Sequence, residues 1–512
     1  MKIKREYGFG FLFIILSVFS ISLNAQRVIY SELNKNENNR TGFEIIGRYQ
    51  NNFLIYKNHN DNSYISVYDN DMKLTENIEL NFVPKKTIET DFITYPSHSY
   101  MFFQNNIKGI VSIQMVKLDI TGHPMTSPIE LDTTKVSGSS KDKIYSVLVS
   151  ENKQNIMLIK VNTRDEKRYL VKTLLYNASM ELQNATTFIL PMKDRNDFLT
   201  DFALDNEGNL VFGRGTRAGN TDNISKYSLI TKAATSSILM STELPLDNVA
   251  LDAVKLKVDN YNNRYLFTGF YYKSKRGGNI EGVSNAIFDK NTNAWIVRNL
   301  MPLDDELRED ARGESSFKTA FNDYFLKEVF TLKDGSFMIV AEASYQTSRG
   351  GYNPYNRWGG MYGTPMDFYG YGYGRYNPYL YGPYSNAFNS STRYNADNII
   401  VISFDSTGKM LFSNVLRKTQ YEDEGNNTIS YTTVNTGNAL CFVYNEADRR
   451  DLLLSYQSID GAGKVTRPPT FKNLERNYKF YPRFGKQVSS TVVIIPAVYK
   501  NNLVFGKVDF VN

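Results

Sequence analysis

The sequence predicts an all-β chain assembled from one repeated four-stranded unit. Three observations carry this. An apolar run ending in an acid or amide and a turn recurs along the chain. The copies stand at a nearly constant spacing. The composition also favours strands, with 36 Tyr and 32 Phe in 512 residues and few strongly periodic helical segments.

The repeat is read first, because a fixed period decides architecture before any single strand does. It appears at Val67-Tyr68-Asp69, Leu118-Asp119, Leu175-Tyr176-Asn177, Ile287-Phe288-Asp289, Phe404-Asp405, Ile459-Asp460 and Val508-Asp509, with a degenerate copy near Thr231. Successive spacings are 50, 58, 54 and 58 residues up to Asp289, then 55 and 49 after Asp405. Asp289 to Asp405 spans 116 residues, but two insertions, 303–320 and 349–396, account for 66 of them and leave an ordinary period of 50.

Each unit divides into four short β-type runs. In the first these are 44–50, 52–57, 64–69 and 73–80. In the sixth they are 325–332, 336–343, 398–405 and 409–417. Turn pairs such as Asp334-Gly335 and Thr407-Gly408 join them as hairpins. The eighth copy has three runs before the sequence ends, at 483–487, 491–500 and 503–510. The run 27–33, which precedes the first full unit, supplies the missing outer strand by pairing with 503–510. Such closure removes two exposed sheet edges.

Four strands per unit at this period resemble the blades of a β-propeller, of the kind exported by bacteria. The resemblance covers residues 26–512 and is one of architecture: the Trp-Asp and Gly-His signatures of WD40 blades are absent, and so are kelch and Asp-box patterns. It implies a single propeller of about eight four-stranded blades, with seven as the alternative.

The N-terminus reads as a signal peptide over residues 1–25. Lys2, Lys4 and Arg5 precede a mostly apolar stretch from Phe9 to Leu23, and Ala25 precedes the expected cut at Gln26. The segment is short for a membrane span, and no later stretch approaches the length a transmembrane helix needs. The expected location is periplasmic, outer-membrane-associated or extracellular. After cleavage 56 basic and 52 acidic residues remain, a balance that gives no reason to expect nucleic acid. The one cysteine, Cys441, excludes a disulfide framework or a Cys-based zinc cluster, and its setting in Ala439–Val443 reads as a buried strand.

In a propeller the loops between second and third strands share a face with the connections between blades. Both insertions fall on that face. Residues 350–396 hold 11 Tyr, 9 Gly, 6 Asn and 4 Pro and neither Lys nor Glu, so their positive charge rests on Arg357, Arg375 and Arg393. One reading is a contact loop for protein or glycan, with Tyr369, Tyr371, Tyr373, Arg375 and Tyr376 as the candidate contacts. The other is a low-complexity cover. Further loops of this face are basic: Arg164, Lys167 and Arg168; Arg214 and Arg217; Lys273, Lys275 and Arg276; Arg449 and Arg450. The acidic run Asp304–Asp310 stands against them, so the rim reads either as mixed and solvated or as anion-attracting.

No catalytic motif emerges. His59, His98 and His123 are too dispersed to suggest a metal site. A Gly-x-Ser-x-Gly elbow is absent, and the Gly-Tyr repeats lack the lysine and strand-to-helix setting of a phosphate loop. The Asp-x-x-Gly turns are explained sterically without calcium. No catalytic residue, metal or cofactor is therefore named. The expected function is a noncatalytic interaction module whose partner is an envelope protein or a glycan, working as a monomer or within a complex. The alternative is a polysaccharide-active lyase or hydrolase with its site in the axial funnel. Converging carboxylates or a His–Arg–Tyr group at one mouth would favour the enzyme.

Overall fold

The computed structural model describes residues 27–136, 143–165, 167–192, 196–219, 223–273, 278–312, 321–348, 392–423, 425–449, 451–469, 471 and 474–510, with the backbone of 351–352 and 375–376. The chain is all-β, in the manner of a propeller. Among the described residues the strands form seven antiparallel sheets. Six sheets hold one four-stranded meander each. The seventh holds two consecutive meanders joined through Ile224 and Leu251. The meanders are numbered 1 to 8 in chain order below.

Meander 1 runs Gly42–Tyr49, Asn52–His59, Asn62–Tyr68 and Leu74–Glu79, close to the runs the sequence indicates. Meander 6 runs Tyr324–Thr331, Phe337–Ser348, Thr392–Phe404 and Met410–Leu416. Its central hairpin is longer than expected. Ser348 pairs with Thr392, so 392–396, counted above with the insertion, belong to a strand. The first strand of meander 8 also differs from expectation. Instead of one run at 483–487 there are two short pieces, Lys479–Phe480 and Lys486–Gln487, around a 3₁₀ turn at Pro482–Phe484. Proline lacks the N–H a continuous ladder needs.

The N-terminal strand Arg27–Tyr30 pairs with the last strand, Arg27 opposite Asp509 and Tyr30 opposite Gly506. It is shorter than the expected 27–33, although the Ser31 N–H still donates to the Phe505 carbonyl. The following loop is pinned beneath meander 1. Lys57 Nζ donates to Glu37 Oε2 at 2.5 Å and to the Tyr68 hydroxyl at 2.6 Å. Burial alone would lower the Lys57 pKa, but Tyr68 and Glu37 outweigh it and raise it.

The core lies between successive meanders. Phe103 of meander 2 packs with Leu54 of meander 1. Phe267 of meander 5 shares a cluster with Tyr227 of meander 4. Tyr444 of meander 7 does so with Val401 of meander 6. The last meander meets the first in the same way, through Phe505 and Ile494 against Phe43 and Phe53. Inner strands are therefore covered on both faces, and Arg264–Tyr272 is buried throughout. Outermost strands such as Ala294–Pro302 alternate between exposed and half-buried.

The recurring acid is a turn-former. The Asp69 carboxylate accepts from the N–H groups of Asp71 and Lys73. Asp119, Asn177, Asp405 and Asp460 repeat the pattern two and four residues on.

Candidate functional site

The innermost strands do not run evenly. Those of meanders 1, 4, 5 and 6 each carry a register shift, at Ile45/Gly47, Thr200/Ala203, Asp252/Lys255 and Leu326/Glu328. A bulge re-aims the side chains beside it. Here it re-aims Asp201, at φ 49°, as well as Lys255 and Lys327. Lys327 lies midway along the strand Tyr324–Thr331, whose start pairs with Ala343 of the neighbouring strand; that strand runs on to Ser348, where the insertion of meander 6 departs.

Around Lys327 a polar network gathers from four stretches of chain. Glu342, on the second strand of meander 6, is fully buried. Lys418 Nζ approaches Glu342 Oε1 at 2.8 Å, Ser430 Oγ donates to Oε2 at 2.7 Å, and Lys327 Nζ stands 3.6 Å from the same Oε2. Lys418 also donates to the Ala396 carbonyl and to Gln420 Oε1. That amide oxygen accepts the Ser430 N–H as well. At the base of the insertion the Tyr345 hydroxyl donates to Asp397 Oδ2 at 2.9 Å. Glu422 accepts from both the N–H and the hydroxyl of Thr428.

The two lysines differ in kind. The Lys418 side chain is 1% exposed, whereas 37% of the Lys327 side chain remains open. Lys327 thus reaches solvent, while Lys418 is a buried strut. Burial lowers the Lys327 pKa; Glu342 opposes this, and Arg483, Lys255 and Lys418 lower it further. For Glu342 burial acts upward, but Lys418 and Lys327 together with two hydrogen bonds outweigh it and hold the carboxyl below its usual range. Asp397 and Glu422 move the other way. Burial raises both, against Tyr345 and Lys418 for the first and against Thr428, Arg483 and Lys479 for the second. Lys255 approaches Asp201 at 3.8 Å, and burial raises Asp201 despite that lysine.

Both insertions reach this region. The first contains a helix, Asp305–Arg312, which the sequence reading missed. Its start is nonetheless legible: Asp304 accepts the Leu307 N–H at 2.7 Å as an N-terminal cap, with Asp305 and Glu306 in the first turn. Leu307 and Ala311 pack into the core shared by meanders 5 and 6. The Tyr324 hydroxyl donates to the Ala311 carbonyl, fixing the helix over the start of the Lys327 strand.

Of the expected contact residues, Tyr369, Tyr371 and Tyr373 lie outside the described residues. Arg375 and Tyr376 form a two-residue strand antiparallel to Glu44 and Phe43, on the free edge of the innermost strand of meander 1. The insertion of meander 6 therefore returns to the inner edge of meander 1. Arg393 is tied to Asp423 at 2.7 and 3.0 Å and stacks over Tyr421. Of the basic rim, Lys273 pairs with Glu281, Arg217 lies over Phe198, and Arg214 donates to the Pro191 carbonyl. Lys275, Arg276 and Arg450 lie outside the described residues.

Among the described residues no group of three or more His, Cys, Asp or Glu could hold a metal ion, and no helix is long and apolar enough to cross a membrane. Nothing in the sequence marked Lys327, Glu342 or Lys418 as a group. They are separated by up to 91 positions and meet through strand pairing. The detectable signal was Glu342 itself, a carboxylate within the apolar run 337–343.

No protein-family model matches the sequence, and no curated protein matches it. Solved structures similar in fold include a prolyl endopeptidase, at 9% identity and TM-score 0.40 over 91% of this chain and 56% of that one. A puromycin hydrolase gives 10% and 0.38 over 81% and 52%. An ulvan lyase gives 11% and 0.39 over 81% and 90%. The chain thus spans little more than half the length of the two hydrolases. At these values the likeness carries no inference about activity.

Proposed function

We propose that the chain is an exported, closed propeller of eight blades that binds a glycan or protein partner of the cell envelope at the axial mouth on its insertion-bearing face. The shared cores support closure, since each meander packs on the next and the eighth on the first. The signal-peptide pattern of residues 1–25 supports export. One observation carries the binding site: the exposed Lys327 side chain, the hairpin stem that bears the long insertion and the acidic helix held by Tyr324 all belong to meander 6 or its entry. The expected contacts Tyr369, Tyr371, Tyr373, Arg375 and Tyr376 belong to this face.

The test compares the mature protein with a version in which 353–388 are replaced by a short Gly-Asn linker. The hairpin stem ending at Ser348 and Thr392 permits the excision without breaking a blade. Capture of glycans and proteins from envelope extract is expected to fall at least tenfold at unchanged thermal stability. Equal capture by both versions refutes the role of the insertion.

A second reading has an observation of its own. The exposed Lys327 amine stands 3.6 Å from the buried Glu342 carboxylate, and burial pushes that lysine toward its neutral form, as a general base requires. On this reading the Lys327 site cleaves a polysaccharide. Incubation with a polysaccharide panel, followed by reducing ends and by absorbance of unsaturated products, decides it; unchanged chain lengths throughout exclude cleavage.

A further inference from the structure

We infer that the inner edge of meander 1 at Phe43 and Glu44 is a strand receptor, held here by the chain's own Arg375–Tyr376 and taken, on binding, by an extended segment of a protein partner that displaces it. This chooses protein over glycan for the partner proposed above and rests on that reading.

The first argument is the backbone. Gly42–Tyr49 is the innermost strand of its meander, and the free edge of a sheet carries N–H and C=O groups that take a further strand. Arg375 and Tyr376 pair with this edge antiparallel, opposite Glu44 and Phe43, which sets the direction an incoming strand follows. Donors and acceptors spaced along a ladder are matched by another peptide backbone, whereas sugar hydroxyls do not repeat at that spacing. The receptive stretch is bounded on both sides. Before it, the Thr41 N–H turns away to the Asn38 carbonyl. After it, the register shift between Ile45 and Gly47 leaves the carbonyls of both Ile45 and Ile46 to Lys486 Nζ, at 2.9 and 3.2 Å. A lysine of meander 8 thus seals the edge beyond Glu44.

The second argument is how lightly the present occupant is held. Arg375–Tyr376 makes two residue pairs, where the N-terminal strand Arg27–Tyr30 makes four. Residues 353–374 and 377–391 separate it from the paired stem of meander 6. A segment tethered through flexible linkers competes at an effective concentration of about millimolar, so a partner strand that adds contacts of its own displaces it. Until then the edge is shielded from indiscriminate pairing.

The test uses a synthetic peptide of residues 371–380 and three forms of the mature protein. These are the parent, the version with 353–388 replaced by the Gly-Asn linker, and Glu44→Cys/Arg375→Cys under oxidation. The Cα atoms of an opposed antiparallel pair stand about 4.5–5.5 Å apart, within the reach of a disulfide. The disulfide is expected to form, and melting curves confirm that each form is folded. The peptide should bind the linker version at least tenfold more tightly than the parent, and should bind the double-cysteine variant only after reduction. Methylating its backbone nitrogens at the positions of Arg375 and Tyr376 should weaken binding at least tenfold. Amide exchange should slow at Phe43 and Glu44, and cellotetraose should not displace the peptide. The inference is overturned if the disulfide does not form, if the linker version fails to bind the peptide or binds it no better than the parent, if methylation changes nothing, or if cellotetraose displaces it. Any of these results with insertion-dependent capture intact sinks strand exchange alone, whereas insertion-independent capture sinks the broader reading.

Discussion

Replacing Glu37 by alanine should open the seam between the chain ends. Lys57 is 2% exposed in its side chain and faces Glu37 at 2.5 Å, beneath the rings of Tyr68 and Phe505. Glu37→Ala leaves an ammonium group buried with the neutral Tyr68 hydroxyl as its remaining partner. Removing one member of a buried pair costs about 3–5 kcal/mol. The same loop holds the last hairpin, because the Glu37 carbonyl accepts the Leu503 N–H and Asn39 donates to the Asn501 carbonyl. The loss should therefore appear first as local opening. Amide exchange in Arg27–Tyr30 and Asn502–Asp509 should accelerate by roughly two to three and a half decades, at about 1.4 kcal/mol per decade. The melting temperature should fall by only about 3–5 °C, because the unfolding entropy of so long a chain is near 1 kcal/mol per degree. The double variant Glu37→Leu/Lys57→Met removes both charges and should recover most of the loss. A change in exchange below about one decade for Glu37→Ala, or no recovery in the double variant, would refute the reasoning.

Two further outcomes follow from the titrating groups. Lys327 has a folded pKa below its ordinary 10.5, so the unfolded chain binds more protons between the two values and stability rises with pH across that interval. Lys327→Met should remove this rise and stabilise the protein at neutral pH by less than about 1 kcal/mol, a figure reduced for the open third of the side chain; a lower melting temperature at pH 7 would contradict it. Burial pushes the Cys441 thiol up to about 11 and leaves the residue 4% exposed, so a thiol reagent at pH 8 should modify it at least a hundredfold more slowly in the native protein than in denaturant. Comparable rates would show that the strand Ala439–Asp448 is not packed as described.

How much could be read in advance depended on range. The acid turns, the strand limits of meander 1 and the pairing of Arg27–Tyr30 with the last strand come from local periodicity and from counting strands, both of which a sequence carries. The helix Asp305–Arg312 was missed because it is two turns long, too short for periodicity to register, although its Asp304 cap was visible. The polar network was missed for a different reason. Lys327, Glu342, Lys418 and Ser430 come together through a bulge and two inter-strand connections, and a bulge of one residue leaves no mark on an apolar run. Sequence reasoning therefore placed the binding surface on the tyrosine-rich insertion, while the structure adds the charged network around Glu342 in the same meander.

Where the partner sits on the propeller is the central question. Amide exchange of the mature protein, with and without the species it captures from envelope extract, measures this without mutation. Protection is predicted in Tyr324–Thr331, in the 418–430 connection and in the first strand of meander 1 near Phe43 and Glu44. Protection confined to the opposite-face turns at 69–73, 119–123 and 405–409, with those axial segments unchanged, would contradict it.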